Sequence, residues 1–414
     1  MTDSALPSTT KLDRNLKLAI AVAALGYFVD IFDLTLFAMV RVSSLTELGL
    51  SGDDLTTQGV RLLNAQMIGM LLGGLLWGML GDRLGRVQVL FGSILMYSVA
   101  NLANAYVQSV DAYALWRFIA GLGLAGEIGA GITLVAELMP REKRGLATTF
   151  VAAIGIAGAV FGATLVQYVD WRTAYIVGGI MGLVLLVVRA GVHESGLFKK
   201  LLAESDAPRA DLRLLLSRTR LPRYIACILI GVPIWYFVGV VVTFSPEIGV
   251  SLGITTPLQA AKGIFYTYLG LTFGDMASGL LSQWLKSRRK AVLAFMLASA
   301  TFTALALSLH NGSAQAFYGM CLLTGFFLGY WALMLTTATE QFGTNIRATV
   351  TATVPNFVRG ATVLLTLAFA HLKPTLGALG AAQAVGAVTF LIALLAVFAL
   401  RETFATDLNF TEKR

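Results

Sequence analysis

Long apolar stretches dominate this chain, and short polar segments punctuate them at regular intervals. A helix that crosses a bilayer needs roughly 20 predominantly apolar residues. Twelve runs meet that length: 16–41, 58–80, 88–108, 111–139, 146–168, 171–192, 222–246, 262–284, 290–309, 314–338, 347–371 and 375–401. The longest interruption, "HESGLFKKLLAESDAPRADLRLLLSRTRL" at 193–221, is charged and separates six runs from six. The pattern predicts an all-α integral membrane protein. Residues 1–192 form one six-helix bundle, 193–221 a cytoplasmic linker loop, and 222–414 a second six-helix bundle with a short cytoplasmic tail. Residues 1–16 are polar and the first run is long enough to span, so it reads as an uncleaved first helix rather than a signal peptide.

Composition agrees. The 414 residues are 57% hydrophobic and 13% charged, with mean hydropathy +0.75, against about 25% charged in soluble domains. The net charge of +8 does not point to nucleic acid, because the basic residues are sorted by membrane side. With the N-terminus placed in the cytoplasm, 23 Lys/Arg fall inside, 5 outside and 3 within the runs. The positive-inside rule therefore puts both termini and the central loop in the cytoplasm, and a bacterial inner membrane is the expected location. The two cysteines, Cys227 and Cys321, lie in apolar runs and suggest neither a disulfide framework nor a metal site.

The halves repeat. "GMLGDRLGR" (78–86) follows the second run and "GLLSQWLKSRR" (279–289) the eighth, at an offset of 201 residues. "AELMPREKRGLATTF" (136–150) links runs four and five, and "TEQFGTNIRATVTAT" (339–353) links runs ten and eleven. Glu137 and Arg144 thereby match Glu340 and Arg347. Parallel repeats of this kind suit two halves that rock about a central site.

These residues resemble the major facilitator superfamily over essentially the whole chain. "GDRLGR" is similar to that superfamily's loop signature after helix 2, and its second copy is decayed at Gln283, Trp284 and Lys286. "WRFIAGLGLAGEIGAGITLVAELMPREKRG" (116–145), "DWRTAYIVGG" and "VHESGLF" resemble the proton-coupled sugar and metabolite symporters. "FVDIFDLTLF" resembles the helix-1 signature of the aromatic-acid:proton and metabolite:proton symporters. The resemblance implies a two-bundle fold of twelve transmembrane helices working by alternating access. The expected function is proton-coupled uptake of a small organic anion, carboxylate-bearing and in some cases aromatic. The Gly-Pro antiporter signature is missing from "IGIAGAVFGA", which favours symport. Proton-driven export of a metabolite or drug is the alternative. A membrane enzyme would show a nucleophile–His or metal constellation, yet His193, His310 and His371 sit far apart at run ends. A sensor would need an output module, and the loops are short.

Candidate chemistry follows from charges at bilayer depth, which are costly and functional by default. Asp33 lies roughly 25 Å up the first run, and Arg117 about 9 Å down the fourth from the other side. The two arrive at similar depth. Burial favours the neutral acid and a nearby arginine the carboxylate, so Asp33 is the expected proton site and Arg117 its partner; a static ion pair is the bland reading. By resemblance, the matching pair of the sugar symporters has the coupling role. Asp30, one turn below Asp33, is a second proton site, a substrate-facing group or a residue solvated by the cavity. Glu127, roughly 15 Å deeper than Arg117, is a proton relay, a recognition group or a structural partner.

Arg359 lies about 18 Å into run eleven, and a guanidinium there suits a carboxylate ligand. Pairing with Asp275 is its structural alternative. Trp235, Tyr236, Tyr330 and Trp331 are candidate lining residues, as is Asn356, although such aromatics more often fill helix interfaces. The loop residues Asp82, Arg83 and Arg86, with Glu137, Arg144, Glu340 and Arg347, are expected to gate rather than bind, by resemblance. No cofactor is expected beyond protons as coupling ion. The expected partners are the organic anion, protons and lipid, with no nucleic acid, and the chain is expected to act as a monomer.

Overall fold

Helix occupies each of the twelve apolar runs in the computed structural model, which describes residues 14–84, 86–126, 141–193, 217–218 and 220–404. In the first half these are α1 (Arg14–Glu47), α2 (Asp53–Leu84), α3 (Arg86–Asn104), α4 (Val110–Leu124), α5 (Arg141–Leu165) and α6 (Trp171–His193). Run four is described as far as residue 126. The second half is more broken. Run seven comprises α7 (Leu221–Leu229), α8 (Val232–Tyr236) and a π-helical turn (Phe237–Val242), followed by the short α9 (Ser245–Ser251). Then come α10 (Ala260–Leu285), α11 (Arg288–Ala306), α12 (Ala314–Leu328), α13 (Trp331–Glu340), α14 (Thr344–Gly360) and α15 (Thr362–Ala399). Runs eleven and twelve meet inside α15, at Gly377 with φ 70°.

The surface is inverted relative to that of a soluble protein. Leu280, Leu364, Val187 and Leu395 are each more than half exposed, whereas Arg41, Arg117 and Arg359 are among the largest fully buried side chains. Exposed leucine and buried arginine are the reverse of the aqueous rule, and lipid supplies the missing apolar surroundings.

Each bundle is tightened by the same device. In the first, α2 crosses α4 where Gly69 abuts the Phe118 carbonyl and Gly121 abuts the Gln66 backbone. In the second, α10 crosses α12 where Gly270 and Gly274 abut the Leu322 and Phe326 carbonyls and Gly325 abuts Thr267. Gly270 and Gly274 stand 201 residues after Gly69 and Gly73, the offset of the loop repeat. Where lipid removes the hydrophobic drive between helices, small residues let backbones close to van der Waals contact. The crossings fix two pseudo-symmetric six-helix bundles, which meet along α2 with α14 and α15 and along α5 with α10.

The face carrying the α1–α2 turn, which the charge count assigns to the exterior, is called the outer face below.

Candidate functional site

Arg359 lies near the end of α14, and helix breaks in runs seven and ten set two aromatic rings beside it. Pro355 lies within α14, and Ala361, nearly two turns beyond the proline, separates α14 from α15. Run ten breaks at Gly329–Tyr330 because Gly329 packs on the Gly274–Asp275 backbone, where a side chain would have no room. Asp275 Oδ1 accepts from the Ala332 backbone N–H at 3.0 Å and so caps α13. Asp275 thus serves the break and makes no ion pair with Arg359. Trp331, first residue of α13, and Trp235, in the short α8, then flank the guanidinium, each with its ring centroid 5.6 Å from Arg359 Cζ. A cation between two indole faces is held by their quadrupoles.

Arg359 is 1% exposed. Its Nε and Nη1, and Nε1 of Trp235, have no hydrogen-bond partner among the described residues. The first bundle contributes Asp30 and Tyr27, and α10 contributes Tyr268, as the titratable groups whose charges act on it. Asn356 lies against Gly74 of α2, again across the bundle boundary. Arg359 therefore sits between bundles with donors to spare, opposite a carboxyl of the other half.

Two of the candidate aromatics do not join this group. Tyr236 donates to the Ala382 carbonyl at 2.6 Å and packs edge-on to Phe390. Tyr330 donates to the Ile230 carbonyl at 3.0 Å. Both hydroxyls are satisfied by backbone carbonyls inside the second bundle.

The first bundle holds a second polar group. Asp33 and Arg117 are fully buried and share one neighbourhood, for Arg117 is the charge that acts on Asp33. They form no direct ion pair. Arg117 Nη2 donates instead to Gln66 Oε1, and its guanidinium lies over the rings of Phe37 and Tyr175 at 5.3 and 5.7 Å. Tyr175 in turn bonds Tyr113, oxygen to oxygen, at 2.8 Å. Asp33 lies on Gly178 of α6, where an added Cβ would stand 2.6 Å from Oδ1. Asn101 of α3 faces the carboxyl without reaching hydrogen-bond geometry.

Toward the outer face, side chains tie the bundles together. Arg41, 0% exposed, places Nη2 2.7 Å from Glu247 Oε2 of α9 and 3.2 Å from the Thr243 carbonyl. Its guanidinium also lies 4.6 Å over the Phe244 ring. Thr56 donates to Glu247 Oε1 at 3.2 Å, Lys373 reaches Asp53 at 2.9 Å, and Thr366 donates to Asn64 Oδ1 at 2.6 Å. No local sequence spacing marks this set, since Arg41 and Glu247 each end an apolar run.

Among the gating candidates, Glu127 and Glu137 lie outside the described residues, as do the side chains of Asp82, Arg83, Arg86 and Arg144. Glu340 pairs with Arg288 at 3.3 Å and accepts from Thr403 at 2.7 Å. Arg347 donates to the Thr339 and Phe342 carbonyls. Both brace the end of the second bundle opposite the outer face.

Residues 23–366 match the model of the Major Facilitator Superfamily. The chain is 29% identical over 353 residues to the 3-(3-hydroxy-phenyl)propionate transporter of Escherichia coli, covering 82% of this chain and 83% of that one. It is 25% identical over 365 residues to the niacin transporter of Acinetobacter baylyi, covering 79% and 80%. A 4-hydroxybenzoate transporter of Pseudomonas putida matches at 35% over 141 residues, about a third of each chain. The crystal structure of a D-xylose–proton symporter superposes with a TM-score of 0.72 at 17% identity, over 94% of this chain and 99% of that one. Fold, internal repeat and family match agree: this chain is a membrane transporter, not an enzyme, and belongs to the Major Facilitator Superfamily.

Proposed function

We propose that the protein is a proton-coupled symporter that carries a small aromatic carboxylate into the cell by alternating access, with both termini in the cytoplasm. The observation that carries the reading is Arg359, a buried guanidinium between two tryptophans with unused donors at the bundle boundary. A carboxylate takes two parallel hydrogen bonds from such a group, and the indoles give a flat ring its apolar contact. The relatives named for niacin and for 3-(3-hydroxy-phenyl)propionate support the same class of substrate. Asp30, opposite, disfavours a second anion unless it carries a proton, which favours loading of acid and proton together.

Asp33 and Arg117 supply the coupling to movement. With Asp33 neutral, Arg117 rests on Gln66. Loss of the proton draws the guanidinium toward the carboxylate and changes how α1 meets α4. Protons are the coupling ion, with no cofactor. The outer-face bonds hold the bundles closed on that side.

The test is thermal stabilisation of the purified protein by niacin, 4-hydroxybenzoate and 3-(3-hydroxyphenyl)propionate at two pH values, with nicotinamide as the uncharged control. The acids are expected to stabilise the wild type and not Arg359→Ala. Equal stabilisation by nicotinamide, or by the acids in the variant, would overturn the reading.

A further inference from the structure

The first bundle buries more polar atoms than it bonds. Asn101 and Asn104 of α3 are both 0% exposed, and neither Nδ2 nor Oδ1 of either has a hydrogen-bond partner among the described residues. Both oxygens of Asp33, Nε and Nη1 of Arg117, and Nε2 of Gln66 share that condition. The atoms of Asp33, Asn101, Arg117 and Gln66 form one neighbourhood, since Asn101 and Arg117 face Asp33 and Gln66 accepts from Arg117. The other titratable groups acting there are Tyr175 of α6 and Tyr113 of α4, with Asp30 one turn along α1. Polar groups buried so densely without protein partners are a setting for ordered water, which binds where two to four polar atoms converge.

The row has a direction. Asn101 and Asn104 are three residues apart and share one side of α3, and Asn104 is its last residue. Immediately beyond, Ala105, Tyr106 and Gln108 join Glu47, Asp170, Arg172 and Thr173 in lining a depression of about 600 Å³ in the outer face. Arg172 bridges it, donating to Glu47 at 2.9 Å and to the Ala105 carbonyl at 2.8 Å. Two carboxylates, Glu47 and Asp170, stand at the mouth.

We infer that Asp33 exchanges its proton with the outer face through the interior of the first bundle, along a water-lined row of Asn101 and Asn104 ending beneath Arg172, and not past Arg359, the proposed substrate site. A carboxamide both donates and accepts while remaining neutral, so it orders a chain of water without trapping the proton. Separate routes let acid and proton load without competing for one opening. The inference rests on Asp33 as the coupling carboxyl.

The experiment uses proteoliposomes and labelled niacin, comparing uptake driven by a proton gradient with exchange of labelled for unlabelled niacin at equal pH. Asn104→Leu is expected to slow gradient-driven uptake about tenfold, the rate equivalent of roughly 1.4 kcal/mol, and to leave exchange unchanged. Asn104→Ser, which supplies a small hydroxyl in place of the carboxamide and admits water, is expected to restore uptake. A parallel loss of uptake and exchange in Asn104→Leu would reduce the row to packing and overturn the route. Loss of driven uptake in Asp33→Asn beside normal uptake in Asn104→Leu would overturn the route and leave the coupling standing. Normal uptake in Asp33→Asn would overturn both. A second arm needs neither substrate nor a bulky change. Asn104→Cys, in a background with Cys227→Ala and Cys321→Ala, is expected to react with a small charged methanethiosulfonate added outside, by way of the water-lined row. An unreactive Cys at 104 would overturn the route.

Discussion

Arg41 of α1 meets Glu247 of α9 across the bundle boundary at 2.7 Å, with the arginine fully buried and the glutamate 18% exposed. The same guanidinium binds the Leu55 and Thr243 carbonyls, so it cannot leave Glu247 without stranding several donors. Removing one member of a buried pair costs about 3–5 kcal/mol, less here because Glu247 touches solvent. Glu247→Gln is therefore expected to shift the protein toward an outward-open form. A single cysteine near Asn64, probed from outside, should label faster in the variant than in the parent. Unchanged labelling would show that the pair does not hold the outer face shut.

Asp33→Asn keeps the shape of the side chain and removes its proton chemistry. On the symporter reading proposed above, accumulation of niacin against a gradient is expected to vanish while exchange of labelled for unlabelled niacin persists. Arg117, already bonded to Gln66, needs no rearrangement to tolerate the neutral amide. Unimpaired accumulation would rule out a coupling role.

Arg359→Ala removes charge-assisted hydrogen bonds worth roughly 1.5–3 kcal/mol each, so the dissociation constant for an aromatic acid should rise at least about tenfold. Arg359→Lys should recover part of the loss, because an ammonium supplies charge but not the planar fork. Calorimetric titration checks both. Equal affinity in all three proteins would leave Arg359 a packing residue between Trp235 and Trp331.

Asp275→Ala tests the opposite assignment. Its carboxylate caps α13 at the break in run ten, and loss of such a cap costs about 1 kcal/mol. Folded yield and thermal stability should fall while the response of transport to pH keeps its shape. A shifted pH profile would make Asp275 a coupling group.

The spans were legible because a bilayer demands about 20 apolar residues in a row and leaves no freedom in that length. Breaks within spans were not. Hydropathy passes over "FFLGYW" without registering that Gly329 must lie on Gly274, and it gives no sign of the π-helical turn at Phe237–Val242. Trp235 and Trp331 could be named as aromatics at mid-depth, but which rings face Arg359 depends on those breaks, and Tyr236 and Tyr330 turn into the bundle instead. Asp33 and Arg117 were readable as charges at matched depth, whereas Gln66, the actual hydrogen-bond partner of Arg117, looked like one polar residue among many. Ser98, Asn101 and Asn104 at spacings of three in an apolar run were a visible signal of a polar helix face. The Arg41–Glu247 pair was beyond reach, being 206 residues apart in sequence.

Gly178 offers the sharpest separation of local propensity from site chemistry. In the middle of a helix, alanine is favoured over glycine by about 1 kcal/mol, so Gly178→Ala would ordinarily stabilise α6. Here the new Cβ would stand 2.6 Å from Asp33 Oδ1 and 2.8 Å from the Phe32 ring. Phe32 is fully buried and locked by α5, where Gly158 and Gly162 pack on its own turn of α1. The ring cannot yield, so the Asp33 carboxyl must turn away from α6. The expected result is a variant of lower thermal stability than the parent that still exchanges niacin and loses most of its gradient-driven accumulation. Gly179→Ala, on the neighbouring face toward Leu102 and Ser98, is the control for crowding alone. Full accumulation by Gly178→Ala would mean that the orientation of Asp33 does not matter to coupling.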